Sequence, residues 1–100
     1  MLTYRGRRTG RTFAIPLRYA ELPEGRLVAV ALRPAEKQWW RAFAERAPAW
    51  VRLRGATASV TGLVTSGASR DEALAAYVAR YARSRRLLDD AAIVVFTSER

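Results

Sequence analysis

Gly6-Arg7-Arg8-Thr9-Gly10-Arg11 is the stretch of this sequence best equipped for chemistry. Glycines let a backbone come close to a ligand, and guanidinium forks match phosphate oxygens two at a time. A threonine hydroxyl beside turn amides completes a cradle for an anion. The plain alternative is a solvated basic hairpin tip. A second stretch, Arg33-Pro34-Ala35-Glu36-Lys37-Gln38-Trp39-Trp40-Arg41-Ala42-Phe43, begins a helix directly after an apolar run. A helix N-terminus in that position attracts anions, and Arg33 and Lys37 flank it. Trp39 and Trp40 project about 100° apart on a helix, so both cannot face one core. One belongs inside, and the other lines a pocket or stacks on a flat ligand, with ordinary packing of both as the plainer reading.

No reacting pair stands out elsewhere. The carboxylates are scattered: Glu21 with Glu24, Asp89 with Asp90, and Glu36 and Glu45 on the first helix. The chain has no cysteine and no histidine, which excludes disulfides, thiolate nucleophiles, Cys/His zinc sites and serine-histidine hydrolysis. Catalytic residues are therefore unknown from sequence and no metal site is expected. An enzyme built from these residues must take its hard chemistry from a bound cofactor.

The elements that position these stretches follow from apolar spacing. Leu2 to Arg5 is strand-like, and the glycine-bracketed basic hexapeptide after it forms a hairpin turn. From Thr12 to Tyr19, Phe13, Ile15, Leu17 and Tyr19 share one face at period two. Pro16 cannot donate to a ladder, so this strand lies at an edge or is bulged. Leu27 to Leu32 is a continuous apolar run and predicts a central strand buried on both faces. Pro34 opens a helix to about Arg46, ended by Ala47-Pro48. Trp50 to Arg54 and Ala56 to Thr65 pair about Gly55, and Gly62 marks a bulge or a close backbone approach. Ser69 with Glu72 is a capping-box pattern, and Leu74, Tyr77, Val78 and Tyr81 keep the spacing of an amphipathic helix. Arg80, Arg83, Arg85 and Arg86 gather towards its end, Asp89-Asp90 turns the chain, and Ala92 to Phe96 is a last buried strand. The expected architecture is mainly β (α+β): about six mostly antiparallel strands curled into a small barrel, with two helices.

With 100 residues, half of them hydrophobic, residues 1–100 are expected to form one globular domain. No run approaches the roughly 18 apolar residues of a membrane span, and no signal-peptide core opens the chain, so a cytoplasmic location is expected. The net charge is +9, and every basic residue except Lys37 is arginine. A GC-rich genome accounts for an arginine bias without invoking function. Arg5, Arg7, Arg8, Arg11 and Arg18 nevertheless crowd the first fifth of the chain without one acid, the pattern of a local anion site.

The basic hairpin followed by Pro16-Leu17, the strand Leu27 to Leu32, Lys37-Gln38-Trp39-Trp40-Arg41-Ala42-Phe43 and the closing Ile93-Val94-Val95-Phe96 together resemble the deazaflavin-dependent nitroreductase family of actinobacteria. The likeness covers nearly the whole chain. It implies the split β-barrel fold shared with flavin-binding pyridoxamine phosphate oxidases. It also implies hydride transfer from the reduced deazaflavin coenzyme F(420) to quinones, nitro compounds or other electron-poor acceptors. By position, Arg7, Arg8, Thr9, Gly10 and Arg11, with Pro16 after them, match the hairpin that holds the coenzyme's phosphate and anionic tail. Arg33 and Lys37 match basic positions after the central strand, and Trp39 and Trp40 match an aromatic pair beside the cofactor. The family commonly has asparagine at the position of Ala42.

Two other readings come from the residues. The same fold could hold FMN or haem. A basic nucleic-acid-binding barrel would use the arginines, such as Arg52 and Arg54, for phosphates and a tryptophan for base stacking. A barrel of this size with a proline-bearing edge is also expected to form a homodimer.

Overall fold

Period-two patterning builds most of the molecule. The computed structural model describes residues 1–82, 88 and 90–98. Its strands are β1 (Leu2–Arg5), β2 (Thr12–Ile15), β3 (Ala20–Glu21), β4 (Leu27–Ala31), β5 (Ala47–Leu53), β6 (Ala56–Val64) and β7 (Ala92–Ser98), with one α-helix, α1 (Gly67–Arg80). The strands form a single sheet in the order β2-β1-β5-β6-β7-β4-β3, and every neighbouring pair is antiparallel. The protein is thus mainly β. It has seven strands where six were expected, and its ladder is open, since no pairing joins β2 to β3 among the described residues. Among those residues no helix is long and apolar enough to cross a membrane.

The two edges are neighbours in sequence. Only Pro16, Leu17, Arg18 and Tyr19 separate β2 from β3. Laid flat, seven strands would hold their edges about 29 Å apart at roughly 4.8 Å per gap. The five Cα steps from Ile15 to Ala20 reach at most about 18 Å. The sheet must therefore curl until its edges approach, and the chain spans the gap that the ladder leaves. β2 stops before Pro16, at the edge, as the missing donor requires.

Curling gives the sheet an inside and an outside, each with its own core. Ala29 and Ala31 of β4 and Val94 and Phe96 of β7 face inward with Leu2, Tyr4, Ala49, Val51, Val60, Trp39 and Phe43. Val28, Val30 and Ile93, at the alternate positions, face outward and are covered by Ala73 and Tyr77 of α1, with Leu88 and Ala91. The expected burial of Leu27 to Leu32 on both faces is this division. Polar contacts hold α1 over β3, β4 and β7. The Tyr81 hydroxyl donates to the Tyr19 carbonyl at 2.9 Å. Arg70 donates to the carbonyls of Leu88 and Ala91, both at 3.1 Å, and Arg26 pairs with Glu72 at 3.2 Å.

The expected Pro34-to-Arg46 helix is replaced by two 3-10 turns, Pro34–Glu36 and Trp39–Phe43, with Lys37 extended between them at φ −111°. The Trp40 indole N–H donates to the Pro34 carbonyl at 2.8 Å, which folds the segment back on itself. Trp39, Ala42 and Phe43 insert into the inner core. Tertiary burial here overrides a sequence with good helix propensity. β5 consequently starts at Ala47, earlier than expected. The helix α1 starts at Gly67 after Ser66, so Ser69 lies within its first turn and caps nothing. Leu74, Val78 and Tyr81 pack against the outer core as expected. Arg83, Arg85, Arg86 and Asp89 lie outside the described residues.

Gly62 is a close approach and not a bulge, because its pairing with Ala47 on one side and Phe96 on the other is continuous. A Cβ there would lie 2.6 Å from the Phe43 ring and 2.8 Å from Phe96. These rings are fully buried and meet edge to face at 5.3 Å. Gly62→Ala should destabilise the fold by about 1–3 kcal/mol through overpacking, read as a lower denaturant midpoint; an unchanged midpoint would refute the packing described. Tyr19 supplies a second expectation. Its hydroxyl is buried without a hydrogen-bond partner among the described residues, and burial pushes its pKa from 10.0 up to about 12. The fold therefore favours the protonated phenol, and that contribution is complete below pH 10 and lost as pH climbs towards 12. Tyr19→Phe should keep its stability at pH 7 and lose less than the parent between pH 10 and 12, measured by thermal unfolding.

Candidate functional site

The β1–β2 turn is built by its own backbone. The Gly6 amide donates to the Arg11 carbonyl at 2.8 Å and the Gly10 amide to the Gly6 carbonyl at 3.0 Å. Gly10 takes φ +68°, a conformation that favours glycine. The Arg11 amide donates to Thr9 Oγ1 at 3.2 Å. This arrangement presents Arg7, Arg8 and Thr9 as an exposed tip, and all three border a cleft of about 710 Å³.

The opposite wall comes from the second candidate stretch, through Gln38, Arg41 and Ala42. In a 3-10 turn, residues three apart eclipse each other. Gln38 immediately precedes the Trp39–Phe43 turn and its carbonyl accepts the Arg41 amide at 3.1 Å, so both side chains fall on the same side. Between the walls lie Tyr4 and Phe13, stacked at 5.5 Å with an interplanar angle of 26°. Phe13 is 41% exposed. Burial pushes the Tyr4 phenol up from its usual pKa, so it is neutral at ordinary pH. The carboxylate of Glu45 approaches Arg7 at 3.7 Å, both side chains being largely exposed. Such a pair is weak and open to competition from a stronger anion.

The other candidates fall elsewhere. Gly10 and Arg11 shape the turn without bordering the cleft, and Pro16 is exposed beyond the end of β2. Arg33 and Lys37 are exposed at the two ends of the first 3-10 turn and also stand off the cleft. Trp39 is buried in the inner core at 7% exposure. Trp40 is half-buried, spends its N–H on Pro34 and has the Arg41 guanidinium 5.5 Å from its ring. Tyr4, Phe13, Gln38, Arg41 and Ala42 are cleft residues that the sequence reading did not assign to a site. Arg41 and Gln38 had a signal, the three-residue spacing, but it is visible only once the segment is known to be 3-10.

A second depression of about 740 Å³ lies by β3, the β5–β6 turn and α1, bordered by Tyr19, Glu21, Arg54 and Arg80 among apolar residues. It is bordered by two arginines and by the Glu21 carboxylate itself. Arg54 has Glu21 at 3.9 Å, and the Arg80 guanidinium lies over the Tyr81 ring at 5.1 Å. The hairpin cleft, with three guanidiniums against one loosely held carboxylate, is the stronger anion site.

Comparison with family models and with curated proteins finds no match for this chain.

Trp40 allows a packing role to be separated from a ligand role. Trp40→Phe removes the hydrogen bond to Pro34 and should cost about 0.5–1.5 kcal/mol of stability. Anion affinity in the cleft should stay within about twofold, measured by calorimetry with pyrophosphate. A large affinity loss at unchanged stability would put the indole in the site.

Proposed function

We propose that this protein is a split-barrel oxidoreductase that binds the reduced deazaflavin coenzyme in the hairpin cleft and passes hydride to an electron-poor acceptor of the quinone or nitro class. One observation carries the reading. Two stretches some thirty residues apart, both part of the resemblance to the deazaflavin-dependent nitroreductase family, share one cleft bordered by three arginines and an aromatic pair. A curled antiparallel sheet whose edges are joined by a short segment is compatible with the barrel that this family uses.

The cleft suits such a group at both ends. An anionic tail needs charge-assisted donors, which Arg7, Arg8 and Arg41 supply with the Thr9 hydroxyl and the Gln38 amide beside them. A flat ring system needs an apolar wall, which Phe13 and Tyr4 provide. When bound, the coenzyme supplies the hydride. The side chains bordering the cleft bind and orient. Arginines do not release protons near neutral pH, and Tyr4 is held as a phenol by burial. They offer neutralisation of the tail and exclusion of water from the ring, and transition-state effects then arise from positioning.

The test is a fluorescence titration of the deazaflavin coenzyme, with FMN in parallel. Arg8→Ala and Arg41→Ala each remove one or two charge-assisted hydrogen bonds, about 1.5–3 kcal/mol, and should weaken coenzyme binding about ten- to hundredfold. Arg11→Ala, off the cleft, should change it less than threefold. Equal effects of Arg8→Ala and Arg11→Ala would indicate diffuse electrostatics, and tighter binding of FMN than of deazaflavin would transfer the site to a flavin.

A further inference from the structure

The helix α1 covers only half of the sheet's outer face. It packs on β3, β4 and β7, and the outer face of β2, β1, β5 and β6 is left without a covering element among the described residues. The register fixes what that face presents. Ala14 pairs with Thr3, Thr3 with Trp50 and Trp50 with Ser59, which makes one row across four strands. Two residues along β5 from Trp50 is Arg52, opposite Thr57. On the other side of the row lies Arg5, opposite Thr12. Trp50 is 37% exposed, and Arg5 and Arg52 are exposed. The two guanidiniums flank the indole with their backbones about 13 Å apart along the strands. No carboxylate occurs anywhere in these four strands.

We infer that this face binds single-stranded nucleic acid, with an unpaired base stacked on Trp50 and phosphates held by Arg5 and Arg52. The charge pattern selects a polyanion, because a chain of +9 places two cations and hydroxyl donors on four strands that carry no acid. The aromatic ring selects an unpaired base, since stacking on a side chain needs an exposed base face, which a duplex withholds. A second copy of this chain fits poorly. A two-fold contact would set Arg5 and Arg52 of both copies into one interface whose strands carry no carboxylate. This surface is distinct from the hairpin cleft, as Tyr4 and Phe13 project from the opposite face of the same strands.

The experiment measures binding of a labelled oligothymidylate and of a duplex of equal length by anisotropy at moderate salt. The parent, Trp50→Ala and Arg52→Ala are compared, with unchanged far-ultraviolet dichroism as the folding control. Trp50→Ala should weaken the single strand about tenfold and leave the duplex unchanged. Arg52→Ala should lower the single strand's salt slope by about one. Single-strand affinity unchanged in Trp50→Ala, or reduced equally for both nucleic acids, would overturn the inference. So would a dimer in sedimentation that Trp50→Ala dissociates, which would assign the face to a second copy.

Discussion

Four residues set the shape of this protein. Pro16 to Tyr19 join the two outermost strands of a seven-stranded sheet, and a flat sheet of that width could not be spanned by so short a segment. Curvature is therefore imposed by chain connectivity before any side chain is considered. Proline at the start of the bridge suits it, because the backbone leaves the ladder there. Leu17 and Tyr19 then pack against the inner core, so the bridge also closes the space it spans.

Once the sheet curls, its interior needs filling and one half of its exterior needs covering. The interior is filled by aromatic rings from two directions, Phe43 from the 3-10 segment and Phe96 from β7, and Gly62 leaves the space in which they meet. Docking of Phe43 and Trp39 in the inner core holds the Trp39–Phe43 turn against β6 and β7. That in turn brings Arg41 opposite the β1–β2 turn. The hairpin cleft is thus a product of core packing: its walls lie where the rings inside pull them.

Much of this was legible in the sequence, and the failures have identifiable causes. Strands such as Leu27–Ala31 and Ala56–Val64 announce themselves by apolar runs and alternation, and the proline edge and the tight approach at Gly62 follow from what those residues cannot do. The basic hairpin was read correctly as a turn from its glycines. Helix propensity misled at Pro34 to Arg46, since a single indole-to-carbonyl bond and three buried side chains redirect the segment. The same redirection moves Trp39 and Trp40 into packing roles and exposes Gln38 and Arg41 instead. Phe13 and Tyr4 read as ordinary strand residues because the cleft they border exists only after β2 and the 3-10 segment meet. The bare half of the outer face was equally hidden, as it depends on which strands α1 covers.

The β1–β2 turn and the Gln38–Ala42 segment border one cleft, proposed above to accept a deazaflavin. Amide chemical-shift mapping of nitrogen-labelled protein during titration with the deazaflavin coenzyme tests it most directly. Saturable shifts are expected at Gly6 to Thr9, Phe13 and Gln38 to Ala42, with Thr3, Trp50 and Arg52 on the opposite face unmoved. Shifts confined to the hairpin without Arg41, or centred on Trp50, would contradict it.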